Sequence, residues 1–87
     1  MTGKCEICGR WMPLERHHVY NGPFRKKADR MGLTINLCHW CHNEPPMGVH
    51  FDQRLDNELK ARFQLKVMEE QGWTVKDFIR EFGRNYL

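Results

Sequence analysis

The sequence predicts a small α+β domain, built as a zinc-stapled finger followed by two C-terminal helices. The chain has 87 residues, which allows one domain with a small hydrophobic core. Two Cys-x-x-Cys pairs lie in its first half, and an apolar residue recurs every fourth position in part of its second half. Because so small a core supplies little net stability, an additional stabilising element such as a bound metal or a disulfide is expected. We therefore predict a single domain over 1–87, with the finger at about 4–50 and the helical extension at about 52–87.

The first half contains two β-prone segments separated by a basic loop. Residues 14–20 form a plausible strand that ends at the Asn-Gly-Pro turn of 21–23. Residues 33–37 alternate in character and predict a second strand that runs directly into the second cysteine pair. The basic loop of 24–32 has room for a helical turn and is closed by Gly32.

The second half predicts two capped helices. Asp52 caps a helix that runs to about Gln71 and stops at Gly72. A shorter helix begins after Thr74, in a variant of the capping box, and stops at Gly83. The apolar stripes of the two helices are Leu55, Leu59, Phe63 and Val67, and then Val75, Phe78, Ile79 and Phe82. We interpret both stripes as core.

The four cysteines predict a structural zinc site. A Cys-x-x-Cys turn supplies two thiolates to one ion, and the two turns are 29 residues apart, with a hairpin between them. Four thiolates leave no open position for a water molecule, so a catalytic role for this ion is not expected. Disulfides belong to oxidising compartments, and the chain shows neither a signal peptide nor an apolar run that could span a membrane. We therefore expect a cytoplasmic protein whose ligands are Cys5, Cys8, Cys38 and Cys41.

The positive charge is concentrated in the finger. Up to His50 there are seven lysines and arginines against four acids, whereas the remainder has seven of each. All five histidines lie in the same basic stretch. This distribution is typical of a surface that handles a polyanion, although a solvated basic face would look the same.

Histidines and one asparagine lie between the two cysteine pairs and just after the second pair. His17 and His18 are adjacent, so on a strand they point to opposite faces and can act from two directions. Asn36 precedes the second cysteine pair, His42 follows it directly, and His50 comes eight residues later. A lone histidine is usually structural, but four that lie between the cysteine pairs or shortly after the second pair favour a functional cluster.

Two segments resemble a known family. Leu-Glu-Arg-His-His-Val-Tyr at 14–20 and Asn-Leu-Cys-His-Trp-Cys-His at 36–42 resemble an HNH endonuclease of the ββα-metal (His-Me finger) class. The resemblance extends from Cys5 to His50. The chain as a whole is similar to small HNH-type proteins of bacteriophages and prophages, which implies a location in the cytoplasm of a bacterial host.

The resemblance implies a role for each of these side chains. His17 and His42 would hold a catalytic divalent ion, and His18 would be the general base that takes a proton from the attacking water. Asn36 would hydrogen-bond across the hairpin and fix the orientation of this base. His50 departs from the family spacing, because Pro45-Pro46 interrupts the segment before it. It is expected to be either a third ligand or a phosphate contact.

The resemblance also implies a cofactor and a substrate. Mg²⁺ is the first expectation for the catalytic ion, and the imidazole ligands leave Mn²⁺, Ni²⁺ and Zn²⁺ open. The expected substrate is double-stranded DNA. Phosphate contacts are predicted for the basic residues of the loop, which are Arg25, Lys26, Lys27 and Arg30.

Two other functions fit parts of the sequence. A zinc module could bind nucleic acid through the basic loop without catalysis. An adaptor could bind a protein through the helices, where Trp73 and Tyr86 are expected to be exposed. Within the second cysteine pair, His39 is expected to be a solvent-exposed bystander, and Trp40 is expected to pack.

Overall fold

The computed structural model describes residues 1–87 and has a three-stranded antiparallel sheet and four helices. The strand order is β1-β2-β3. The elements are β1 (Thr2–Lys4), β2 (Trp11–His18), α1 (Arg25–Arg30), β3 (Thr34–Cys38), α2 (His39–His42), α3 (Gln53–Gln71) and α4 (Val75–Phe82). A single 3₁₀ turn, Gly22–Phe24, precedes α1. The predicted α+β class is confirmed.

The hairpin of β2 and β3 is the centre of the finger. Its register places Leu14 opposite Cys38 and His18 opposite Thr34. β2 begins at Trp11, three residues before the predicted strand, because it also pairs with β1. The three residues of β1 are too few to show an alternating pattern, so the sequence did not predict this strand.

The helices begin and end where their caps predicted. The Asp52 side chain accepts a hydrogen bond from the Leu55 backbone N–H at 3.1 Å, which starts α3. Thr74 and Asp77 form a complete capping box at the start of α4. One prediction for α4 was wrong, because Ile79 is 39% exposed. The helix has only eight residues and packs on the core with a narrow face that contains Phe78 and Phe82.

The finger and the helices share one core. Tyr20, at the end of the hairpin, packs against the rings of Phe78 and Phe82, with ring centroids 5.8 and 4.9 Å away. Its hydroxyl donates a hydrogen bond to the Lys60 carbonyl of α3 at 2.5 Å. The helical extension therefore buries the side of the hairpin that would otherwise meet water.

Three aromatic residues differ from their expected exposure. Trp73 and Tyr86 were expected to be exposed, but both are partly buried against the core. Trp40 was expected to pack, yet it is 47% exposed on the four-residue helix α2. None of the helices combines the length and apolar character that crossing a bilayer requires.

Candidate metal centres and polar pocket

The four cysteines converge as predicted. Cys5 and Cys8 lie in the turn between β1 and β2, Cys38 ends β3, and Cys41 lies in α2. All four sulfur atoms are within 4.8 Å of one another, and those of Cys8 and Cys38 are 3.8 Å apart. Zn–S bonds of about 2.3 Å in a tetrahedron place sulfurs about 3.8 Å apart. The cluster therefore fits a structural metal site such as zinc.

The thiols of this cluster have different environments. The neighbouring Arg10 guanidinium lowers the pKa of Cys8 to about 6, whereas burial raises the pKa of Cys41. The thiolate is the form that binds metal, so Cys8 is the thiol that most readily loses its proton to the ion.

Three histidines form a second cluster beside the first. His17 comes from β2, His42 ends α2, and His50 lies in the loop before α3. One ring nitrogen of each lies within 4.8 Å of the others. The Nε2 atoms of His42 and His50 are 3.0 Å apart. This arrangement brings together the three side chains that the sequence suggested as ligands of a divalent ion.

The loop that carries His50 folds back onto α2. The Val49 backbone N–H donates to the Cys41 carbonyl at 2.7 Å, and the His50 N–H donates to the His42 carbonyl at 3.3 Å. Gly48 allows this return, because a Cβ atom there would lie 2.7 Å from the Glu44 backbone nitrogen. The helix α2 already ends at His42, before Pro45-Pro46, and these backbone hydrogen bonds return His50 to the cluster.

His17 provides the test of whether a cation fits. Its side chain is 2% exposed, and its Nε2 is the one buried side-chain nitrogen or oxygen without a hydrogen-bond partner. Burial, followed by the nearby His42 and His50, lowers the pKa of His17 to about 4. The ring is therefore neutral at neutral pH. An unpartnered buried polar atom is costly, and a cation would supply the missing partner.

His18 lies on the opposite face of β2 from His17, as predicted, but its neighbour differs from the expected one. Its Nε2 lies 3.4 Å from an Oδ1 of Asp29 in α1. Asn36 is opposite Arg16 in the register, and its side chain makes no hydrogen bond to His18. The expectation that Asn36 orients His18 is not realised, because Thr34 occupies the position directly opposite.

Glu15 connects two other histidines. Its Oε1 lies 2.8 Å from His42 Nδ1, and its Oε2 lies 3.4 Å from His39 Nδ1. The hydrogen bond with His42 is the main reason that the pKa of Glu15 is lowered. His39 Nε2 also lies 3.0 Å from Glu44. His39 is therefore not the expected bystander, although its side chain is 55% exposed.

A polar pocket of about 180 Å³ opens beside the histidine cluster. None of its seven lining residues is hydrophobic. They are Arg16, His17, His18, Asn21, Arg25, His42 and His50. Sequence reasoning missed Arg16 and Asn21. Arg16 is two residues before His18 on the same strand, so the alternation of β2 places both on one face and could have identified it.

The four basic residues of 24–32 do not act as one surface. Arg25 lines the pocket, and Lys26 and Arg30 are exposed on α1. Lys27 turns towards α4, where its Nζ lies 3.0 Å from the Glu81 carbonyl and 3.1 Å from the Glu81 carboxylate. This pairing with Glu81 argues against the predicted phosphate contact at Lys27.

Comparisons with known proteins give no family assignment for this arrangement. No family model matches the chain, and neither the search of curated proteins nor the search of solved structures found a match.

Proposed function

We propose that the chain is a metal-dependent endonuclease of the HNH type that hydrolyses DNA phosphodiester bonds. In this proposal His17, His42 and His50 hold a divalent ion, and His18 is the general base. The observation that carries it is the buried Nε2 of His17, which lacks any partner and belongs to a ring whose centroid lies 5.1 Å from those of His42 and His50. A purely structural zinc module has no need for this second cluster.

The pocket beside the cluster suits a phosphate group. Arg25 contributes a guanidinium group that has no ion pair, and Arg16 contributes a second one that is 61% exposed but lies 3.3 Å from Asp29 Oδ1. Guanidinium is well matched to phosphate oxygens. The absence of apolar lining residues disfavours the stacking of a base inside the pocket. Recognition would thus be directed at the nucleic-acid backbone, which positions a substrate without reading its sequence.

The reaction would use the protein's own groups as follows. Arg16 and Arg25 bind and orient the phosphodiester, which aligns it for attack. His18 Nε2 lies 3.4 Å from Asp29 Oδ1, and the tautomer with its hydrogen on Nε2 would have its lone pair on Nδ1. His18 Nδ1 would accept the proton of the attacking water, whose oxygen bonds to phosphorus as the bond from phosphorus to the leaving sugar oxygen breaks. The leaving oxygen would take a proton from solvent. His17, His42 and His50 would hold a divalent ion, whose positive charge would stabilise the negative charge that develops on the phosphodiester.

A second candidate is a zinc module that binds nucleic acid without cleaving it. Lys26 and Arg30 favour this function, because both are exposed on α1 and neither is engaged in an ion pair. They could dock a phosphate backbone whether or not the histidine cluster works.

Plasmid cleavage tests the proposal. The protein, with zinc in its cysteine site, is incubated with supercoiled plasmid and Mg²⁺, Mn²⁺ or Ni²⁺. We expect nicked or linear plasmid from the parent, and loss of cleavage in His18→Ala and His50→Ala at unchanged zinc content. Lys76→Ala is the control, since Lys76 is exposed on α4, lies outside the pocket and should leave cleavage intact.

Each alternative gives a different outcome. DNA binding without cleavage under any of the metals would identify the non-catalytic zinc module. A chain that neither cleaves duplex DNA nor shifts it at low salt would favour the protein-interaction adaptor.

A further inference from the structure

We infer that Glu15 is a positioning residue for the histidine cluster, holding the His42 ring so that its Nε2 faces His17 and His50. The inference rests on the cation site of the proposed function and deepens it. Glu15 lies on β2, two residues before His17, and is not part of the pocket lining. It would therefore act through His42 and not on the substrate.

The contact between Glu15 and His42 determines which ring nitrogen is free. Glu15 Oε1 lies 2.8 Å from His42 Nδ1. An ionised carboxylate can only accept, so Nδ1 carries the hydrogen and the lone pair of the neutral ring lies on Nε2. This Nε2 is the atom 3.0 Å from His50 Nε2. The side chain of His42 is mostly buried, which limits other orientations of the ring.

Other residues hold the carboxylate itself. The Asn43 amide donates to Glu15 Oε1 at 3.0 Å, and His39 Nδ1 lies 3.4 Å from Oε2. Asn43 Nδ2 also lies 3.2 Å from His42 Nδ1. That pair is not a hydrogen bond, because both nitrogens are donors when Glu15 is ionised. Both therefore point at the same carboxylate oxygen, which keeps Glu15 in place.

This arrangement matches the way proteins orient metal-binding histidines. A carboxylate that accepts the second ring N–H fixes the tautomer and increases the basicity of the ligand, and its loss costs about 10–100-fold in metal affinity. Without Glu15, the His42 ring can place its hydrogen on Nε2, where it would oppose a cation. Glu15 thus prepares the cluster before an ion arrives.

Two measurements test this inference without relying on activity. Ni²⁺ binding is measured by calorimetry on protein whose cysteine site is filled with zinc, and long-range ¹⁵N NMR reports the tautomer of His42. In the parent we expect Ni²⁺ binding and the Nδ1–H tautomer. In Glu15→Ala we expect Ni²⁺ affinity to fall by about 10–100-fold and the tautomers to mix. Glu15→Gln retains an acceptor oxygen and should show a smaller loss.

Glu44→Gln is the matched control, because Glu44 contacts His39 but not His42. It should leave both measurements unchanged. Unaltered Ni²⁺ affinity and an unaltered His42 tautomer in folded Glu15→Ala would overturn the inference. If Glu15→Ala does not fold, an unaltered tautomer and affinity in Glu15→Gln would do the same.

Failure of the proposed nuclease function and failure of the Glu15 inference give different results. A parent protein that binds Ni²⁺, depends on Glu15 for that binding, and cleaves no plasmid would refute the nuclease while leaving the role of Glu15 intact. A parent that binds no Ni²⁺ at the histidines would overturn the cation site and the inference together. A cleaving parent with no dependence on Glu15 would refute the inference alone.

Discussion

Lys26 and Lys27 are adjacent, but the structure predicts opposite consequences when each is replaced by alanine. Lys27 Nζ contacts both the carbonyl and the carboxylate of Glu81 and lies 5.7 Å from the centre of the Phe82 ring. Lys26 is exposed and has no such partner. Replacing Lys27 should therefore reduce stability, and under the proposed function replacing Lys26 should reduce the affinity for DNA.

The expected loss at Lys27 follows from its contacts. An ion pair with partial exposure contributes about 0.2–1 kcal/mol, and a cation over an aromatic ring at an exposed site adds about 0.5–1 kcal/mol. The hydrogen bond to the Glu81 carbonyl adds a contribution that overlaps with these. We expect Lys27→Ala to lower the free energy of unfolding by about 1–2 kcal/mol. For a domain of this size, each kcal/mol lowers Tm by about 4–8 °C.

Thermal unfolding and DNA binding measured over a range of salt concentrations distinguish the two lysines. Lys26→Ala should keep the parent Tm, while the slope of log affinity against log salt decreases by about 1. Lys27→Ala should have a lower Tm and the same slope of log affinity against log salt as the parent. Lys27→Met, which retains an unbranched apolar chain over Phe82, should lose less stability than alanine. The reasoning fails if Lys27→Ala keeps the parent Tm and weakens DNA binding as much as Lys26→Ala.

Three further substitutions test the metal centres and the packing. Cys38→Ala should abolish zinc binding and cooperative unfolding, because zinc binding energy is part of the folding energy in so small a domain; a variant with full zinc content would contradict this. Gly48→Ala should displace His50 and weaken Ni²⁺ binding, since the new Cβ would lie 2.7 Å from a backbone nitrogen. A Ni²⁺ affinity equal to that of the parent, measured by calorimetry, would argue against that packing. Gly83→Ala should cost about 1–3 kcal/mol by denaturant unfolding, because residue 83 has a φ of +85° and the new Cβ would lie 2.9 Å from Phe24 Cζ. An unchanged midpoint would show that Phe24 moves aside freely.

The features that could be predicted from the sequence are those determined by short stretches of chain. The cysteine pairs are local turns, and their convergence requires only a hairpin between them. Asp52 and Thr74 cap their helices through residues three positions away. The His17-His18 alternation depends only on the pleat of one strand.

The features that were missed depend on contacts between distant segments. Lys27 is paired with Glu81, which is 54 residues later, and no local pattern indicates that α1 packs on α4. The neighbour of His18 is Asp29 of α1 and not Asn36, because the register places Thr34 opposite His18 and α1 lies against β2. His50 returns to the cluster through backbone hydrogen bonds made after Pro45-Pro46. The prolines interrupt the helical periodicity on which sequence prediction relies.

The short helix α2 limits how this fold can change during evolution. Cys38 ends β3, Cys41 lies in α2, and His42 is the last residue of that helix, so two zinc ligands and one histidine of the cluster lie within five consecutive residues. An insertion or deletion anywhere in 38–42 would shift at least one ligand out of its site. The exposed stretch Pro45–Met47 carries no ligand of either cluster. Relatives of this chain should therefore vary in length in that stretch and keep the spacing of 38–42 constant.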